Sequence, residues 1–423
     1  MTDTDIKENK IKLEDFINKG CSLHPKEGQL SLKCKDGEYY YESNGIYYKC
    51  INQIYTNTEI IEKPDWWDDH AYCHYMKNTK DKIFKRCSDI HHYSQKELKD
   101  TVIPELVKEL LKTDIKSFIK KYILDKIDSH KEYQKFKELS SEKIEVFHKN
   151  SSFIISPQKT TNSIKICRKY MPHFYEVEDS NGNKLEWNED KLLKSLLSRS
   201  NNHTSVNSQA TDIIKSLNFK PVTMYSPIMT RIILEELGCK NVFDPCIGWG
   251  GRLIGTTATN GYYCGFEPFT KTYDGLNNMV NELSLNGQVD ILKMQAELGI
   301  LDDTIFEGRM FDICLTSPPY FDLEIYSDEA TQSVKQYPDY NQWLDKFIEP
   351  LIEFVSRRVT KYSCWSVKNF GKYKFMDDII RIHNKHGWIR DHRTFIVKGT
   401  NRVNAGAMEG ELTLVFKKDI NPS

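Results

Sequence analysis

The spacing of apolar and polar residues changes character along the chain. Up to about residue 92, short runs such as Glu38-Tyr39-Tyr40-Tyr41 and Ile46-Tyr47-Tyr48 are separated by the turn signals Lys35-Asp36-Gly37 and Ser43-Asn44-Gly45. Apolar and aromatic runs between Gly and Asn turns predict a small β-rich module. From residue 94 to about 150 the period becomes helical. Ile103, Leu106, Val107, Leu110, Leu111, Ile115, Phe118, Ile119 and Tyr122 recur at spacings of three and four, with lysines on the other face. That face reads as ordinary amphipathic packing. The polar stretch 198–208 reads as a loop or linker.

From about residue 219 two periods alternate. Ser226-Pro227 predicts an N-cap and a first-turn proline, and Gly238 ends the helix over 228–237. Strands are predicted at 241–244, 262–267, 289–294, 310–315 and 362–367. Helices are predicted from about 252, over 273–285, over 340–358 and over 375–386. Strands alternating with helices predict a parallel sheet covered on both faces. The closing strands 388–397 and 411–416 have no helix between them, which predicts a hairpin at the end of the sheet. The expected division is a β-rich module over 1–92, a mainly helical accessory region and linker over 93–210, and an α/β domain over 211–423.

Composition adds the class. The chain has 423 residues, 39% hydrophobic and 28% charged, which suits a water-soluble globular protein of two or three domains. Its apolar runs are too short to span a bilayer, and the polar, acidic Met1-Thr2-Asp3-Thr4-Asp5 is not a secretion signal. Eleven scattered cysteines read as reduced thiols of an intracellular protein. Cys21, His24, Cys34, Cys50, His70, Cys73, His74 and Cys87 invite a zinc reading, but their spacings lack two clean ligand pairs. Structural thiols and surface histidines are the reading adopted, with no metal.

The net charge is −1, yet residues 357–402 carry twelve Lys/Arg against three acids, a local net of +9. Phe370, Tyr373, Phe375, Trp388 and Phe395 lie among them. Cations interleaved with aromatics are what a nucleic-acid groove uses. They also describe a solvated surface over core aromatics, and both readings stand at this point.

Two stretches carry candidate chemistry. The apolar run 310–315 stops at Thr316-Ser317-Pro318-Pro319-Tyr320. Two prolines fix the backbone and end the ladder, so a buried strand runs into a stiff corner. The Ser317 hydroxyl lies at that corner, and the carbonyls of Ser317 and Pro318 are held in fixed directions beside the Tyr320 ring. That suits a planar molecule with an exocyclic amino group. Upstream, Asp244-Pro245-Cys246-Ile247-Gly248-Trp249-Gly250-Gly251-Arg252 follows one strand and opens a helix. In open α/β sheets ligands bind beyond the strand carboxyl ends. Gly248 and Gly250 permit a tight turn, and Asp244 could accept from an ammonium. Glu267, ending the next strand, suits the two hydroxyls of a ribose. Gln295-Ala296-Glu297 follows the third strand, near where an adenine would lie.

The corner resembles the SPPY motif of DNA amino-methyltransferases, and the set above resembles that family's S-adenosylmethionine (SAM) motifs in order. The resemblance covers about half the chain, 219–417. It implies an α/β, Rossmann-like, seven-stranded class I SAM methyltransferase domain with an N-terminal α+β accessory region. It implies SAM as cofactor, with Asp244, Pro245, Gly248 and Gly250 at the methionine part, Glu267 at the ribose and Gln295 or Ala296 at the adenine edge. Met224-Tyr225-Ser226-Pro227 falls where the family has a further SAM-contacting segment, which makes Tyr225 a candidate. Ser317, Pro318 and Pro319 would hold the target amino group, and Tyr320 would stack on a base flipped from its helix. Cytosine N4 is favoured over adenine N6 in DNA because Ser leads the motif. An RNA base methyltransferase and a non-catalytic nucleic-acid-binding subunit are the alternatives. Many relatives with this motif order carry a recognition domain after the catalytic part. Here recognition would fall to 1–210, 321–342 or the 399–410 loop.

Overall fold

The computed structural model describes residues 21–23, 31–35, 38–43, 45–51, 58–67, 74–77, 82–85, 91–93, 98–139, 146–149, 152–155, 161–178, 183–202, 205–206, 210–219, 224–323, 327, 329–397 and 412–418. It forms two units: 1–123 with 185–219, and 124–184 with 220–423. The division is discontinuous, unlike the boundaries at 92 and 210 expected above.

In the first unit, strands Ser31–Lys35, Glu38–Ser43, Ile46–Cys50 and Thr58–Ile61 form an antiparallel meander. Gly45, at φ 77°, makes the turn after Ser43. The helix Ile103–Lys112 buries Ile103, Leu106, Val107 and Leu110, the face read from the spacing. Leu111 lies outside that face and is exposed. The stretch 198–208 is not all loop. Residues 198–202 complete the helix Glu189–Asn202, and Ser205–Val206 pairs antiparallel with Cys21–Leu23. The side chains of Cys21, Cys34 and His74, and residues His24, His70, Cys73 and Cys87 altogether, lie outside what is described. Cys50 is buried, and burial pushes its thiol up to about 11. Among the described residues no group of three His, Cys, Asp or Glu could hold a metal ion.

The second unit is built on one nine-stranded sheet. Its strands, numbered along the chain, are β1 (Val146–Lys149), β2 (Ser152–Ile155), β3 (Asn241–Asp244), β4 (Tyr262–Phe266), β5 (Val289–Leu292), β6 (Phe311–Thr316), β7 (Val359–Val367), β8 (Trp388–Val397) and β9 (Leu412–Lys418). The spatial order is β5-β4-β3-β6-β7-β9-β8-β2-β1. β5, β4, β3, β6 and β7 pair in parallel, and β9 runs antiparallel to both β7 and β8. Strands β3 to β9 form the seven-stranded, mostly parallel sheet expected from the sequence.

The closing strands pair as expected, but β9 inserts between β7 and β8 rather than ending the sheet. The sheet continues past β8, because β2 pairs with it in parallel, Phe153 opposite Phe395. Val146–Lys149 and Ser152–Ile155, assigned from sequence to the accessory region, thus belong to the sheet of the second unit. Successive side chains of a strand face opposite ways, and the sheet uses both faces. Val242, Ile313 and Leu315 enter one core with helices Thr161–Tyr170, Pro227–Leu237 and Gly251–Ala258. Phe243, Cys314 and Trp365 enter the other with helices Glu349–Arg358 and Phe375–Lys385. The helix predicted over 340–358 is interrupted by a π-helical turn at Leu344–Ile348. Among the described residues no helix is long and apolar enough to cross a membrane.

Candidate active site

The order of parallel strands reverses between β3 and β6, each side running outward from that point. Ligands of such sheets sit beyond the carboxyl ends of the strands there. A cavity opens at that place. It is lined by the turn after β3 (Pro245, Gly248, Trp249), by Glu267 after β4, by Gln295 and Ala296 after β5, and by Ser317–Tyr320 after β6. Tyr225 lines it as well. Ten of the twelve residues singled out in the sequence therefore line one cavity, drawn from five segments; Asp244 and Gly250 do not.

Asp244 lies beneath the cavity and is fully buried. One carboxylate oxygen accepts from Arg252 Nε at 2.6 Å and from the Tyr263 hydroxyl at 2.5 Å. The other accepts from Thr316 Oγ1 at 2.8 Å and from the Cys246 amide at 3.1 Å. Burial works to lower the Arg252 pKa, but the adjacent Asp244 charge outweighs it and keeps the guanidinium ionised. Arg252 also donates to the carbonyls of Cys246 and Ile247. The carboxylate expected to meet an ammonium is instead the hub that ties the turn after β3 to Thr316, the residue before the Ser-Pro-Pro-Tyr corner. Arg252, Tyr263 and Thr316 were not singled out in the sequence, because their role depends on a charge buried below the site.

The turn itself is shaped by its glycines. Gly248 and Gly250 adopt φ of 58° and 78°, where side chains are strained. A Cβ on Gly251 would stand 2.0 Å from the Tyr225 carbonyl oxygen, so the turn and the Tyr225 segment can approach only at glycine. The Arg252 guanidinium lies 4.9 Å from the Tyr225 ring centre.

Glu267 lines the cavity with its carboxylate held by two amides, Gly248 N at 3.0 Å and Phe269 N at 2.9 Å. Burial dominates over these donors and pushes its carboxyl up to about 8. Gln295 Nε2 lies 3.5 Å from Glu297 Oε1. Segment 161–178, far away in sequence, backs the cavity wall from behind, a support that the sequence did not reveal. The His173 ring packs 5.2 Å from Trp249 and 5.3 Å from Phe269. Its Nε2 pairs with Thr272 Oγ1 at 2.9 Å, and burial lowers its pKa to about 4. Trp249, Phe269 and Thr272 all line the cavity.

At the corner, Ser317 and Pro319 are half-buried and Tyr320 is 4% exposed. The Tyr320 ring is wedged edge-on against Phe370 and Phe375, at 5.6 and 6.0 Å. Lys368 Nζ stands over it at 5.2 Å. The ring is thus largely packed into the core, and a base stacking on it must share its face with Lys368. Phe321 follows at φ 45°, a strained value for a bulky residue that costs about 1–3 kcal/mol. Its ring is held among Tyr340, Trp343 and Tyr373 at 5.5–5.7 Å, which fixes the sharp exit of the chain from the corner. Ser327, Thr331 and Gln332 line the cavity, and the Glu329 carboxylate accepts from the Thr270 amide at 3.3 Å.

No family model matches the chain, and no curated protein matches it. Several solved structures share part of its fold. A precorrin-6y C5,15-methyltransferase from Geobacter metallireducens is 10% identical, at TM-score 0.30, over 45% of this chain and 88% of that one. A magnesium protoporphyrin IX methyltransferase from Synechocystis with bound SAM is 12% identical, at TM-score 0.30, over 46% and 79%. A putative RNA methyltransferase from Pyrococcus horikoshii is 15% identical, at TM-score 0.30, over 47% and 83%.

Proposed function

We propose that the second unit is a SAM-dependent methyltransferase acting on the exocyclic amino group of a DNA base, cytosine N4 in preference to adenine N6. The observation that carries this reading is the single cavity shared by the Gly-rich turn, Glu267, Gln295 and the Ser-Pro-Pro-Tyr corner. The residues present fit SAM in kind. Glu267 offers a carboxylate to ribose hydroxyls, Gln295 and Ala296 lie after the third strand for the adenine edge, and Trp249 and Phe269 give apolar walls. Asp244 acts from below, as the residue that positions the turn. When bound, SAM supplies an electrophilic methyl on a sulfonium.

The protein's task is alignment, which at best removes on the order of 7–11 kcal/mol from a bimolecular barrier. An exocyclic amino nitrogen is a weak nucleophile because its lone pair conjugates with the ring. Ser317 Oγ and the Pro318 carbonyl would accept its two hydrogens and favour a pyramidal nitrogen. Their directions are fixed by the two prolines and by the Thr316–Asp244 bond beneath. Transfer would break the sulfonium C–S bond, leaving its electron pair on a neutral thioether, and the amino proton released by the new N–C bond would pass to solvent water. No covalent intermediate on a thiol is required.

The test is methyl transfer from labelled SAM to DNA and to RNA, followed by mass spectrometry of the released nucleosides. N4-methylcytosine or N6-methyladenine from DNA is the expected product. Label entering RNA alone overturns the DNA substrate, and calorimetry showing no SAM binding overturns the activity.

A further inference from the structure

The basic stretch 357–402 is not uniform once its partners are known. Arg358 pairs with Asp303 at 2.8 Å, Lys361 with Asp312 at 3.4 Å and Arg381 with Asp378 at 3.1 Å. Lys385 pairs with Glu349 at 2.6 Å and Arg393 with Asp391 at 2.8 Å. Arg390 donates to the carbonyls of Asp391, Arg393 and Val415, and Arg357 lies over the Phe354 ring. Of the ten described cations of the stretch, five are thus paired with an acid, and Arg390 and Arg357 are held by carbonyls and a ring. Lys368, Lys372 and Lys374 differ in that all three are exposed and none makes an ion pair among the described residues; Lys368 and Lys372 meet only rings, those of Tyr320 and Tyr373 at 5.2 and 5.3 Å.

These three lysines share one short, rigid connection, 368–374, between β7 and the helix Phe375–Lys385. Phe370 and Tyr373 exchange backbone hydrogen bonds, at 3.2 and 2.9 Å, across Gly371-Lys372, with Gly371 at φ 50°. Both aromatic residues anchor the connection from below. Phe370 is buried against Tyr320, and Tyr373 stacks on Tyr340 at 4.2 Å. Asn369 Oδ1 accepts from the Met376 amide at 2.9 Å, fixing the far end. Lys368 lines the cavity beside Ser317 and Tyr320, so the row of cations begins inside the site and leads out of it. Fixed, unpaired cations next to a catalytic cavity suit a polyanion.

We propose that the 368–374 connection docks the sugar–phosphate backbone of the strand that carries the target base. Lys372 and Lys374 take phosphates outside the cavity, and Lys368 meets the target nucleotide at its mouth. The paired cations of the stretch serve the fold instead. This rests on the nucleic-acid reading above and narrows it to one surface.

The experiment compares the full-length wild type with the double variant Lys372→Gln/Lys374→Gln and with Lys361→Gln/Lys385→Gln, which removes two paired cations. Binding to short duplex and single-stranded DNA is measured over a range of salt, and SAM binding by calorimetry. The first variant should lower the salt slope by about 1.8 on duplex and about 1.4 on single strands, from about 0.9 and 0.7 per phosphate contact. SAM affinity should hold. The second variant should keep the wild-type slope. Wild-type binding to DNA with equal slopes for the wild type and the first variant overturns the docking surface and leaves the substrate reading standing. No salt-dependent binding of the wild type to either DNA overturns both. Equal losses from the two double variants mean diffuse charge, and also overturn the assignment.

Discussion

The charged groups beneath the cavity and those at its mouth are arranged in opposite ways. Beneath it, Asp244 and Arg252 are both almost wholly buried and satisfy one another, with Tyr263, Thr316 and backbone groups completing the set. At the mouth and just outside it, Lys368, Lys372 and Lys374 stand exposed, with no acid against them among the described residues. A charge that is buried and fully partnered can position neighbours but cannot bind a ligand without breaking its own network. A charge left exposed on a rigid turn costs little and is available to whatever approaches. Burial and partnership, rather than residue type, separate scaffold from contact surface here.

The largest expected effect breaks the lower network. Asp244→Ala strands the Arg252 guanidinium, and removing one partner of a buried pair costs about 3–5 kcal/mol. Chemical denaturation should show that loss, with SAM affinity falling alongside. A variant of wild-type stability that has lost SAM alone would instead put Asp244 in contact with the cofactor.

Next in size is Ser317→Ala. Its backbone is held by Pro318, Pro319 and the Thr316–Asp244 bond, so the midpoint of unfolding should not move. The kcat on DNA should drop by about 10²-fold, the cost of losing one donor or acceptor that matters in the transition state. A loss confined to KM would make Ser317 a binding residue only.

The pH dependence of SAM binding sharpens the middle ground, where Glu267 is buried but faces the cavity. Its carboxyl, raised to about 8, is protonated in the free protein at neutral pH. Ribose hydroxyls that donate to it favour the ionised form, so binding should release a proton. Affinity should rise with pH up to about 8 and then level off. Glu267→Gln should flatten that profile. A wild-type affinity already independent of pH between 6 and 8, on the order of the window set by that shift, would remove Glu267 from the ribose.

The smallest effect belongs to the paired surface cations. Lys361→Gln should cost less than about 1 kcal/mol, since its pair with Asp312 is half-exposed. A much larger loss would move Lys361 from the surface class into the lower network.

The order of strands and helices over 219–417 was legible because it rests on local signals. The apolar period, the Ser226-Pro227 start and the Gly238 stop sit within a few residues of what they control. The candidate site was legible for the same reason: Gly248, Glu267, Gln295 and Ser317 follow strands, and in a parallel sheet strand ends converge. Partnership was not legible, because it joins residues far apart and depends on which way side chains point. The Thr316–Asp244 bond spans 72 positions and the His173–Thr272 bond 99. No local pattern states that 146–155 extends the sheet or that Asp244 turns inward. Nor does it say which cations of 357–402 find acids. The sequence by itself determined the elements and the strand ends at which chemistry gathers. Tertiary packing decided which of those groups are used up inside the fold and which remain open to a ligand, because desolvation and pairing are properties of the assembled neighbourhood.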